Sequence, residues 1–124
     1  MSKVHPTEIN IHTQSRTLEI AFDDGARFVL PAEYLRVYSP SAEVQGHGPG
    51  QGVLQVGKED VNIENAAPVG SYGIQLFFDD NHNTGIYSWE TLYDLGKNYE
   101  AYWQDYLRRL EEAGHKRRDP SEII

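Results

Sequence analysis

Apolar and polar residues alternate along the first part of the chain. Ile9 and Ile11 are separated by single polar positions, and Leu18, Ile20 and Phe22 alternate with Thr17, Glu19 and Ala21. A period of two predicts strands with one buried face. Asp23-Asp24-Gly25 breaks the pattern before Phe28-Val29-Leu30, and an Asp-Gly pair between two such runs predicts a hairpin turn. Pro31 is suited to the first turn of a short helix containing Ala32, Glu33, Tyr34, Leu35 and Arg36. Beyond a glycine-rich loop from Gly46 to Gly52, further strands are predicted at Val53–Val56, Val61–Glu64 and Ile74–Asp79, with a turn from Asp79 to Gly85. From Ser88 the period changes. Ser88 is an N-cap residue, Glu90 is placed where the helix dipole favours a carboxylate, and Gly96 is a stop signal. A second helix is predicted from Asn98 to Gly114, with Tyr99, Tyr102, Trp103, Tyr106, Leu107 and Leu110 on one face.

These elements predict an α+β fold in which a C-terminal helical segment packs on a small antiparallel or mixed β-sheet. The expected organisation is one domain over residues 1–114 and a flexible tail over 115–124.

Composition narrows the functional classes. A length of 124 residues suits one domain and leaves no room for a second, catalytic one. The 39% hydrophobic and 24% charged content is that of an ordinary globular chain. No apolar run approaches the ~20 residues of a membrane span, and the N-terminus lacks a signal-peptide core, so a cytoplasmic, non-membrane protein is expected. The absence of cysteine excludes disulfides, thiolate metal sites and cysteine nucleophiles. A net charge of −8 argues against a nucleic-acid partner, because phosphate binding rests on Lys and Arg. Five of the 11 basic residues fall between Arg108 and Arg118, where they offset a helix dipole and solubilise a tail.

Motifs of known chemistry fail on specific residues. Gly52 to Lys58 has the spacing of a phosphate-binding loop, but Glu59 stands where the magnesium-binding hydroxyl belongs. None of the five histidines is followed two positions later by Asp or Glu, so the usual iron facial triad is absent. Asp23-Asp24 and Asp79-Asp80 sit where strands turn, and adjacent strand residues point to opposite faces. The loop Ser39 to Gly48 and the turn carrying His82 remain as the distinctive stretches.

Those stretches carry a resemblance. Phe22 to Gly25, Leu30 to Arg36, Ser39 to Gly48, Pro68 to Gly70 and Asp79 to Trp89 resemble the γ-butyrobetaine hydroxylase-like N-terminal domain family, a domain of unknown function, most strongly over residues 7–96. In the hydroxylases such a domain precedes an iron- and 2-oxoglutarate-dependent catalytic domain and holds zinc through three cysteines and a histidine. A similar domain is appended to some iron–sulfur scaffold ATPases of the P-loop class. The resemblance places Ser39, Ser41 and Val44 at the cysteine positions and His82 at the histidine. Neutral hydroxyls are poor zinc ligands and valine is none, so loss of that zinc site is expected. Asn81 and Asn83 stand where bacterial relatives tend to carry Gly and Asp.

The expectation is a non-catalytic accessory or protein-interaction module without a cofactor. It would be linked to iron–sulfur assembly or P-loop ATPase systems, or to a second copy of itself. Its contact residues would be Ser41, Glu43, Gln45, His47, Asp80 and His82, with stability supplied by the aromatic helix. The alternative is a metal-binding module in which His47 and His82 are helped by Asp79, Asp80 or Glu43.

Overall fold

The computed structural model describes residues 4–41, 44 and 53–117. Strands β1 (Pro6–His12), β2 (Thr17–Phe22) and β3 (Arg27–Pro31) form an antiparallel sheet in that order. Its register sets Ile9 against Ile20, Ile11 against Leu18, and Leu18 against Leu30. Leu18, Ile20 and Phe22 are buried, so the period-two pattern identifies the inward face. Asp24 closes the β2–β3 turn through its Oδ1, which accepts from the Ala26 amide at 2.9 Å. It also accepts from the Tyr93 hydroxyl at 2.5 Å.

Helix α1 (Ala32–Val37) follows directly on β3, and all six of its residues are buried. After it come β4 (Ile63–Val69), β5 (Gly73–Phe78) and β6 (Ile86–Ser88), a second antiparallel sheet in sequential order. The strands therefore form two three-stranded sheets. The single small sheet expected from the sequence is thus divided in two, and the turn carrying His82 belongs to the second.

Residues 53–56 form no strand, in contrast to expectation. Separate hydrogen bonds tie them down instead of a ladder: the Val53 amide donates to the Val44 carbonyl at 2.7 Å, and the Tyr106 hydroxyl donates to the Gln55 carbonyl at 2.7 Å.

Helix α2 (Trp89–Lys97) begins at Ser88, whose Oγ accepts from the Thr91 amide at 3.1 Å. It continues through Gly96 and ends at Asn98, which also leads into α3 (Tyr99–Glu112). One apolar cluster unites both sheets, α1 and α2, with Tyr99, Tyr102 and Trp103 of α3 packed on it. Tyr106 and Leu110 join Val37 in a smaller cluster. Among the described residues, no helix is long and apolar enough to cross a membrane.

Candidate functional site

Helix α1 positions the site. Its Tyr34 hydroxyl donates to the Leu95 carbonyl at 2.7 Å, and its Leu35 carbonyl accepts from the Tyr87 hydroxyl at 2.6 Å. These bonds tie α1 to α2 and β6. Burial pushes the Tyr87 phenol well above its ordinary pKa, against the opposing effect of a hydrogen bond from Ser39. The chain leaving α1 is thereby aimed at the 79–85 turn.

That turn is held at several points. The Asp79 amide donates to the Asn62 carbonyl at 2.9 Å, and Asp79 Oδ1 accepts from the Asn62 amide at 3.0 Å. Asn81 has φ 69°, a left-handed conformation that Asn tolerates and Gly adopts freely. Asp80 Oδ1 accepts from the His82 amide at 3.2 Å. Its Oδ2 accepts from Arg36 Nε at 2.9 Å and Lys58 Nζ at 2.8 Å. Burial acts to raise the Asp80 carboxyl pKa, but the hydrogen bonds from Lys58 and Arg36, with the Arg36 charge, hold it below the ordinary value. Arg36 also donates to Gln55 Oε1 at 2.9 Å, joining the turn, α1 and the 53–56 segment.

Within this frame the His82 ring is 4% exposed and Ser39 0%. Ser39 Oγ and His82 Nε2 are 2.9 Å apart, a direct hydrogen bond. Ser39 Oγ also accepts from the Ser41 amide at 3.2 Å, and the Ser41 hydroxyl meets Thr84 Oγ1 at 2.6 Å. Gly85 lies so close that a Cβ there would stand 2.4 Å from Ser39 Oγ. The two stretches singled out in the sequence thus meet in one buried corner.

The expected site residues divide accordingly. Ser39, Ser41, Asp80 and His82 come together. Val44 is buried nearby in sequence, its amide donating to the Ser41 carbonyl at 2.9 Å. Glu43, Gln45 and His47 lie outside the described residues. The His82 side chain is buried and faces Ser39, with the Phe78 ring 6.1 Å from its own. Arg36, Lys58 and Gln55 belong to the network without having been singled out. Only the basic character of Arg36 and Lys58, beside a pair of aspartates far away in sequence, could have indicated them.

Zinc does not fit these side chains. A zinc ion bound by both Ser39 and His82 would hold each donor about 2.0–2.2 Å away, which sets the two donors roughly 3.3 Å or more apart in a tetrahedral site. The observed 2.9 Å is instead the length of a hydrogen bond, and Val44 supplies methyl groups where a thiolate would be needed. Among the described residues, no three His, Cys, Asp or Glu side chains cluster as a metal site. A Ser–His pair also invites comparison with a nucleophile and its base, but Ser39 is wholly buried and presents no face to a substrate.

The sequence profile described as gamma-butyrobetaine hydroxylase-like, N-terminal, matches residues 9–93. Among solved structures, one determined by NMR in solution is 48% identical with a TM-score of 0.81, over 95% of this chain and 88% of that one. A second NMR structure is 44% identical, also with a TM-score of 0.81, over 96% of this chain and 93% of that one. A crystal structure of a protein of unknown function from Acidithiobacillus ferrooxidans, assigned to the DUF971 family, is 39% identical with a TM-score of 0.63. There the match spans 74% of this chain and 92% of that one. No curated protein matches the chain.

Proposed function

The chain belongs to the gamma-butyrobetaine hydroxylase-like, N-terminal family, and from that premise we propose that it is a non-catalytic protein-interaction module whose family metal corner is replaced by a hydrogen-bonded one. The observation that supports this reading most directly is the Ser39–His82 contact at 2.9 Å, in which two aligned ligand positions are satisfied by each other. The role of the corner is then architectural. It clamps the start of the segment that follows α1 against the 79–85 turn, and Glu43, Gln45 and His47 are the residues proposed to meet a partner. Loops presented by a rigid scaffold are where small domains carry recognition. An iron–sulfur assembly or P-loop ATPase system is the kind of partner the family resemblance implies.

The test combines metal content with capture. Chain purified without an affinity tag is expected to carry far less than one zinc per molecule after dialysis against a mild chelator. The triple substitution Glu43→Ala, Gln45→Ala, His47→Ala is expected to abolish capture of the native partner from lysate while leaving the melting temperature unchanged. Stoichiometric zinc, or capture that survives the triple substitution, would overturn the reading.

A further inference from the structure

We propose that Glu33 and Trp103 form a receptor site for an arginine side chain of a protein segment, filled in this chain by its own Arg117. This stands on observations independent of the Ser39–His82 corner. Glu33 lies on α1 and is 7% exposed. A carboxylate so placed is costly unless a cation with matching donors meets it. Arg117, five residues past the end of α3, meets it with two parallel bonds: Nε donates to Oε2 at 2.7 Å and Nη2 donates to Oε1. Its guanidinium carbon stands 5.1 Å from the centre of the Trp103 ring, within the range of a cation–π contact. A two-pronged carboxylate and an aromatic face together select the flat, forked guanidinium over the compact ammonium of lysine.

The receptor side is held by the body of the domain and not by its occupant. Hydrogen bonds from Tyr34 and Tyr87 anchor α1. Trp103 packs edge-on to Tyr34 at 6.1 Å and against Tyr106 at 5.2 Å. The site should therefore persist when the terminal segment lifts away, the condition under which a preorganised site binds another copy of its ligand. Residues 115–117 pack against Val56, Gly57, Glu59, Tyr106 and Leu110 with a gap of about 10 Å³, room for one water at most. A short tether gives the chain's own arginine an effective concentration on the order of millimolar, so an arginine from another chain competes only when it exceeds that or when Arg117 is removed.

The experiment uses the full chain carrying Arg117→Ala, labelled with 15N, and a synthetic peptide of residues 112–117, Glu-Ala-Gly-His-Lys-Arg. Saturable shifts of the Trp103 indole and Glu33 amide signals are expected. The unsubstituted chain should need at least about tenfold more peptide for the same shift, and a peptide ending in lysine should bind at least about fivefold more weakly. Adding Glu33→Gln should remove the response. A folded Arg117→Ala chain that shows no saturable shift at Trp103 would overturn the proposal, and so would equal affinity for the lysine peptide. If Arg117→Ala does not fold, Arg117→Lys takes its place. Displacement of its lysine by the arginine peptide supports the site, and absence of displacement overturns it.

Discussion

Removing the His82 imidazole takes a 2.9 Å partner from a serine that no solvent reaches. His82→Ala is therefore expected to destabilise the protein by about 1–3 kcal/mol, the usual cost of leaving a buried polar group short of a partner. Urea denaturation checks this, and an unchanged midpoint would mean that water fills the corner at no cost. The sequence reading assigned His82 to partner contact and stability to the aromatic helix, and so did not indicate this cost. What hid its burial was distance along the chain: Ser39, 43 residues away, decides it. Trp103 shows the converse error. Its helical spacing identifies the inward face of α3, yet its ring is only half-buried and the Arg117 guanidinium lies over it. A loss of 3–5 kcal/mol on Trp103→Ala would require full burial. Partial burial lowers the expected cost to about 1.5–3 kcal/mol, readable in the same denaturation series.

Gly96 illustrates how an element can be read correctly and its punctuation misread. A glycine near a helix end is the usual stop signal, and the sequence places the end of α2 there. The helix instead passes through it to Lys97, because at this position the glycine makes room for a neighbour. A Cβ on Gly96 would stand 2.4 Å from the Phe28 ring. That ring is hemmed in by Tyr93 at 5.6 Å and Phe22 at 6.1 Å. Helix propensity favours Gly96→Ala by about 1 kcal/mol, while overpacking costs about 1–3 kcal/mol. With the ring confined, overpacking should win, and Gly96→Ala should lower the melting temperature; a rise would show that Phe28 can step aside. The predicted strand over 53–56 failed for a related reason. Val53, Leu54 and Val56 do favour a strand, but a strand needs a neighbour to pair with, and that property belongs to the fold and not to the segment.

At the scale of the whole molecule, α1 joins the two sheets through charge as well as through its apolar face. One of its charged side chains, Glu33, reaches the C-terminal segment, and another, Arg36, reaches the 79–85 turn. The sequence indicates the α+β class and the partition into strands and helices, because those follow from period. It does not indicate that a six-residue helix carries both ties, since nothing in a short buried helix announces its distant partners. The Asp80 tie should be visible in the acid limb of the stability curve. Although burial alone would raise its pKa, Lys58 and Arg36 hold the Asp80 carboxyl below the 3.8 of an unperturbed aspartate. A carboxyl with a lowered folded-state pKa binds protons more readily when the chain is unfolded. Its contribution is therefore fully present above the unfolded value and is lost as the pH falls from about 3.8 through the lower, folded value. In Asp80→Asn the two cations keep an oxygen to contact but lose the charge that titrates. The substituted chain should be less stable than the parent at pH 7, and the difference should shrink as the pH falls below 4. Urea midpoints measured at half-unit steps from pH 7 to pH 2.5 give the curve. A gap between the two chains that stays constant across that range would mean that Asp80 holds the turn by geometry alone.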